Sequence, residues 1–172
     1  MPGIRLAPVT LEREAEFEAF RDEWRDEAFD PFARMFAIAW TDYAGYVALL
    51  QELREGHGPV EGVVPSETSF IEEDGRILGI LNRRYALNET LERFGGHIGY
   101  AVRPSARGRG VAKSALRLGL ADLRAHGIDQ ALVTCGDWNA ISARVIESCG
   151  GRRIADAEAD GTVERRYLVP TG

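Results

Sequence analysis

The sequence predicts a single α/β domain built on one mixed α+β sheet, and three observations carry that expectation. A strand, a helix and a second strand between Gly96 and Cys135 form a βαβ unit, whose strands run parallel through a right-handed crossover. Asp74-Gly75 and Asp160-Gly161 each separate two β-rich runs, the pattern of a tight hairpin whose turn needs positive φ angles. The first fifty residues instead space their aromatic side chains at helical intervals.

The elements follow in order. Ile4 to Pro8 reads as a short first strand. Thr10 opens a helix with Phe17, Phe20, Trp24 and Ala28 on one stripe, and Asp30-Pro31 ends it because a residue before proline is pushed out of the helical region. A second helix starts at Thr41, puts Tyr43, Tyr46, Val47 and Leu50 on one face, and stops at Gly56–Pro59. Thr68–Glu73 and Arg76–Tyr85 form the first hairpin, and Gly96–Val102 is the next strand. Arg109 to Ala125 is helical, with Gly127 placed as its stop. The strand Gln130–Cys135, the helix Asn139–Cys149 with Gly150-Gly151 behind it, and the hairpin Arg153–Ala157 with Val163–Val169 complete the order β-α-α-β-β-β-α-β-α-β-β.

The chain has 172 residues, 45% hydrophobic and 28% charged, a size that supports one self-sufficient core. No apolar run approaches the roughly 20 residues of a membrane span, and Met1–Thr10 lacks the pattern of a signal peptide. Cys135 and Cys149 are too few for a disulfide framework, and no His/Cys spacing suggests a metal. Both read as buried structural thiols. These features point to a cytoplasmic protein without metal or membrane, with a homodimer as the commonest assembly.

Charge is distributed unevenly. Between Leu11 and Asp30, nine acids against three arginines account for the whole net charge of -6. Arg103 to Ala121 carries Arg103, Arg107, Arg109, Lys113 and Arg117 with no acid. One cationic stretch in an acidic chain argues against nucleic acid, which favours broadly basic domains, and suits either one local anionic ligand or a solvated helix face.

That stretch sits where a strand turns into a helix, through Arg107-Gly108-Arg109-Gly110-Val111-Ala112. The glycines permit conformations that a side chain forbids, and the open N–H groups and dipole of a helix start favour an anion. Together they make a phosphate cradle, to which arginines add bidentate bonds. It is not a P-loop, because alanine stands before Lys113, and Gly108-x-Gly110 lacks the third glycine of a dinucleotide fingerprint.

Arg107-x-x-Gly110-x-Ala112 resembles the pyrophosphate motif of the GNAT N-acetyltransferase superfamily, and Asn139-Ala140-Ile141-Ser142 resembles its second acetyl-CoA-contacting element. Gly95 to Tyr100, Val102-Arg103-Pro104-Ser105 and Thr134-Cys135 are similar to a bacterial group of predicted acetyltransferases. The likeness spans roughly Pro65 to Val169. It implies a GNAT-like fold with splayed parallel central strands, an acetyl-CoA-binding core over 65–172, and acceptor-side helices over 1–64.

On this resemblance the backbone of Tyr100, Ala101 and Val102 bonds pantetheine, and the N–H groups of Arg107, Gly108, Arg109, Gly110, Val111 and Ala112 hold the pyrophosphate. Asn139 and Ser142 contact the pantetheine arm. An amine-bearing small molecule or peptide attacks the thioester, with an N–H near Ala101 or Val102 stabilising the oxyanion. The tyrosine that commonly protonates the leaving thiolate falls at Ile146, so the acid step departs from the family pattern. Tyr100 and Tyr167 are the phenols nearest the expected cleft, and His97 has a pKa suited to relaying an amine proton. The first helices also wall the acceptor site, where their rings and acids could meet a cationic amine. The missing tyrosine leaves a second reading open, a non-catalytic acyl-CoA-binding regulatory module. A third is another nucleotide bound through Arg103–Lys113.

Overall fold

A computed structural model describes residues 3–25, 41–59 and 61–172. Its element order is β1 (Arg5–Pro8), α1 (Glu14–Asp22), α2 (Tyr43–Arg54), β2 (Ser66–Glu73), β3 (Arg76–Arg84), α3 (Glu89–Arg93), β4 (Ile98–Val102), α4 (Val111–Ala125), β5 (Gln130–Gly136), α5 (Ala140–Ser148), β6 (Arg152–Ala159) and β7 (Thr162–Pro170), with 3-10 turns at Leu11–Arg13 and Pro104–Ala106. The sequence-based order holds, with one addition. α3 is five residues long and capped by Asn88, whose side chain accepts from the Leu91 amide. The expected helix from Thr10 begins instead as a 3-10 turn and continues as α1; Ala28, Asp30, Pro31 and Trp40 lie outside the described residues.

The seven strands form one sheet in the order β1-β2-β3-β4-β5-β7-β6. Both hairpins turn on the expected dipeptides, with positive φ at Asp74 and Gly75 and again at Asp160 and Gly161. β7 inserts between β5 and β6, pairing antiparallel with both. β4 and β5 are the parallel pair, and they meet at one position, Ile98 opposite Val133. Beyond it the strands diverge, and the sheet opens into a V.

Two cores cover the faces. On one face α4 and α5 bury Val111, Leu116, Leu120, Leu123 and Ile146 against Ile71, Leu81, Ile98 and Val133. On the other, α1 and α2 set Phe17, Phe20, Trp24, Tyr43 and Tyr46 against Phe70, Ile80 and Ala101. The Phe17 ring lies 5.0 Å from that of Tyr43 and 5.6 Å from that of Tyr46. The aromatic stripe therefore packs as its spacing predicts. Cys135 and Cys149 are free thiols, the first buried and the second partly buried. Among the described residues no helix is long and apolar enough to cross a membrane.

Candidate active site

The V between β4 and β5 is where the backbone has groups to offer. β4 bonds β3 through its odd-numbered residues: the Arg103 amide donates to the Leu78 carbonyl, and the Arg84 amide to that of His97. Strand alternation then turns the N–H and C=O of Tyr100 and Val102 the other way, toward β5. Past Ile98 no strand among the described residues meets them. The sequence-based choice between Ala101 and Val102 as the cleft-facing amide is thereby resolved to Val102, because the Ala101 backbone faces β3.

A cavity of about 460 Å³ fills this opening, lined by Tyr100, Ala101 and Val102 of β4, the turn from Ala106 into α4, and the start of α5. Gly108 and Gly110 line it with φ of 76° and 80°, and a Cβ on either would touch nothing within 4 Å. Glycine is required there for backbone direction, not for space. Gly110 caps α4, whose first internal bond runs from the Ser114 amide to the Gly110 carbonyl. The amides of Val111, Ala112 and Lys113 precede that bond and are left for a ligand. All three residues line the cavity. Lys113, which the spacing argument placed only in a cationic stretch, is thus part of the wall.

The cationic stretch divides its charges between the fold and the cavity. Arg103 is 5% exposed and turns inward, bonding the Ile77 carbonyl at 2.8 Å and the Glu23 carboxylate. Arg109 pairs with Glu73 at 2.6 Å and is absent from the cavity wall, so of the expected pyrophosphate residues it alone faces elsewhere. Arg107 remains at the cavity, where its Nε donates to the Val102 carbonyl at 3.3 Å and its guanidinium lies 5.2 Å from the Trp24 ring. Trp24 is a lining residue as well as a core one, a role that its helical spacing did not reveal.

The acids of the first helix are largely committed too. Glu16 accepts from the Ile77 amide and pairs with Arg13. Glu23 accepts from Arg103, from the Ser105 amide at 3.1 Å and from the Ser105 hydroxyl at 3.0 Å. Burial would raise its carboxyl, but these donors outweigh it and hold it at about 2. These two acids anchor the fold instead of awaiting a cationic amine.

At the α5 wall, the Asn139 side chain accepts from the Ser142 amide at 3.0 Å and so caps the helix. Its amide nitrogen stays available to the cavity that Asn139 and Ser142 both line. The Ser142 hydroxyl meets the Tyr100 hydroxyl at 2.9 Å. Burial pushes the Tyr100 phenol up to about 12, so it carries its proton at neutral pH. Trp138 and Ile141, 66% and 75% exposed, form the rim.

Two sequence-based candidates, Tyr167 and His97, and the position of the missing acid, Ile146, lie elsewhere. Ile146 is fully buried in the α4/α5 core. Tyr167 is buried as well, donating to Glu147 at 3.3 Å. His97 is not on the cavity wall. Its Nδ1 accepts from the Leu132 amide at 2.9 Å, which occupies the lone pair a base would use.

An elongated ligand with amides and phosphates fits this chain: bare strand edge for the first, glycine turn and helix start for the second. A search of curated proteins finds no match. Among solved structures, the chain is similar to Mycobacterium smegmatis RimJ in complex with CoA-disulfide (24% identity, TM-score 0.65, covering 96% of this chain and 83% of that one). It is also similar to the microcin C7 self immunity acetyltransferase MccE in complex with acetyl-CoA and AMP (16%, 0.71, 97% and 92%). A third is a spermidine N-acetyltransferase SpeG chimera from Vibrio cholerae and hSSAT (10%, 0.65, 98% and 95%). Residues 5–150 match the acetyltransferase (GNAT) family, and with the splayed strands and the glycine turn in place the chain belongs to that family of acetyl-CoA-dependent N-acetyltransferases.

Proposed function

We propose that this chain, as one domain, moves the acetyl group of acetyl-CoA to a primary amine of a small molecule or peptide by direct attack on the thioester, in the cytoplasm. One observation carries the reading: the cleft-turned backbone of Tyr100 and Val102 continues into a glycine-shaped helix start, all on one cavity. The free thiols of Cys135 and Cys149 suit a reducing compartment. Residues 65–172 supply the donor side, and α1 and α2 cover the acceptor face.

The bound thioester supplies an activated acyl carbon. The Val102 N–H is placed to donate to the charge that develops on its carbonyl oxygen, a contribution of about 3–4 kcal/mol in acyl-transfer sites. Tyr100, Val102 and the Asn139 amide hold the pantetheine arm, and the amides of Gly108 to Ala112 with Lys113 and Arg107 hold the pyrophosphate. The amine nitrogen forms the new C–N bond, the C–S pair leaves on sulfur, and one nitrogen proton passes to solvent water, from which Tyr100 regains the proton it gives up. The protonated Tyr100 hydroxyl, relayed through Ser142, is the group that returns a proton to that sulfur, in place of a phenol at Ile146.

Calorimetric titration with acetyl-CoA and a thiol-release assay over an amine panel test this. Saturable binding and amine-dependent thiol release are expected. Absence of acetyl-CoA affinity overturns the reading, and binding without turnover on any amine makes the chain a CoA-binding module.

A further inference from the structure

Of the 21 lysine and arginine residues in the chain, Lys113 is the only lysine. It stands half-buried in the first turn of α4, on the cavity wall beside Gly110, Val111 and Ala112. That turn holds no acid, so the cation sits at the positive end of the helix dipole with no local carboxylate to offset it. Arg103 and Arg109 of the same stretch are tied to Glu23 and Glu73. Among the described residues the Lys113 side chain has no ion pair and no hydrogen bond. A helical side chain leans toward the helix N-terminus, which carries this one back over the glycine turn. An arginine would grip a phosphate bidentately. A lysine offers a compact charge and, once deprotonated, a nucleophilic amine. The one strong base that differs from all the others therefore lies where phosphate is expected.

We propose that Lys113 is a modification site: an acyl phosphate seats its phosphate on the amides of Val111, Ala112 and Lys113 and acylates the Lys113 amine, which closes the donor site. Phosphate is the group that these amides and Arg107 are arranged to hold. The acyl carbon is two bonds from phosphorus, within the sweep of the flexible four-carbon lysine stem. The neutral amine nitrogen attacks that carbon and forms a C–N bond. The C–O bond breaks with its electron pair on the phosphate oxygen, and the nitrogen proton goes to the departing phosphate. The amide formed carries no charge, so the turn loses its unpaired cation and gains an acetyl group where pyrophosphate binds. The inference rests on the N-acetyltransferase reading, because it regulates the donor site of that reading. Bound acetyl-CoA covers the same amides and shields the lysine.

The test treats the full chain with acetyl phosphate, with acetyl-CoA, and with both, and locates acetyl groups by peptide mass mapping, with the α-amino terminus as internal reference. Acetyl phosphate alone is expected to acetylate Lys113 roughly tenfold faster or more in the folded chain than in the same chain in urea, as for a reactant held in place. Saturating acetyl-CoA is expected to suppress this while leaving the terminus reactive, and acetyl-CoA alone to leave Lys113 unmodified. The acetylated chain is expected to bind acetyl-CoA roughly tenfold or more weakly in calorimetry, the loss of one charge-assisted hydrogen bond. Equal rates in folded and unfolded chains, no protection by acetyl-CoA, equally fast acetylation by acetyl-CoA alone, or an unchanged Kd after acetylation each overturns the inference. Lys113→Arg keeps a cation that the reaction does not touch. The acetyl-CoA Kd of this variant, whatever its starting value, is expected to stay fixed under acetyl phosphate, and a rise overturns the assignment to Lys113. Should the wild type show no acetyl-CoA affinity, the donor reading fails, and the comparison of folded chain with urea decides this point alone: faster acetylation of Lys113 when folded supports it, and equal rates refute it.

Discussion

Glu23→Gln tests how the end of α1 holds the glycine turn before α4. Glu23 follows α1, yet its carboxylate accepts from Arg103 and from both the amide and the hydroxyl of Ser105, inside the 3-10 turn that leads to Gly108 and Gly110. Its carboxyl lies at about 2 against an ordinary 4.5. At about 1.4 kcal/mol per pH unit the contacts are worth at most about 3 kcal/mol at neutral pH. The carboxylate is 26% exposed, and screening trims this to about 2 kcal/mol. For a domain of this size that lowers Tm by about 4–8 °C. A carboxyl with a depressed folded pKa stabilises fully above its unfolded value and loses that stabilisation as pH falls toward the folded value. The gap between wild type and Glu23→Gln should therefore be complete at pH 7 and shrink between about pH 4.5 and 2. Thermal melts of both proteins at pH 7 and pH 3, with an acetyl-CoA titration at pH 7, measure it, and the variant should bind acetyl-CoA more weakly. Equal Tm at pH 7, or a gap that acid leaves intact, refutes the clamp.

Other outcomes follow from the same geometry. Gly110→Ala forces a side chain into a φ of 80° and should cost about 1–2 kcal/mol of stability while raising the acetyl-CoA Kd; Gly110→Asp should raise Kd further, by adding negative charge beside the phosphates, as calorimetry would show. Tyr100→Phe should lower kcat by about 100–10,000-fold with little change in KM for acetyl-CoA, the size of a typical acid–base contribution, and Ser142→Ala, which breaks the same relay, should lower it comparably. With the Tyr100 phenol at about 12, the kcat profile of the wild type should show no alkaline loss from this group up to pH 10. His97, whose folded pKa is lowered below 6.5, should make the protein lose stability as pH falls below that value, and His97→Asn should remove that acid-limb component in melts.

Local signals were legible in the sequence, and partnerships across long separations were not. Asp74-Gly75 and Asp160-Gly161 announced their hairpins because only a few residue types accept a positive φ. α3 escaped notice because five residues cannot display a helical period. The insertion of β7 between β5 and β6 leaves no trace in periodicity, which fixes a strand's faces and not its neighbours. The turn before α4 stood out through its glycines, yet Arg103, Arg107 and Arg109 looked alike in the sequence. Their separate fates depend on Glu23, Trp24 and Glu73, which lie some 36 to 83 residues away along the chain. The standing of His97 turned on which ring nitrogen the Leu132 amide occupies, something composition cannot express.

The single Ile98–Val133 pairing has a mechanical consequence. The sheet is two antiparallel blocks, β1 to β4 and β5 to β7, stitched only at the Gly96–Ile98 end of β4 and strapped by α4, which touches both. A ligand whose amides bridge the Tyr100–Val102 edge acts as an inserted strand and carries load between the blocks. Its departure leaves a seam along which the molecule should open first, so amide hydrogens at Tyr100 and Val102 should exchange early without ligand and slow down when it binds.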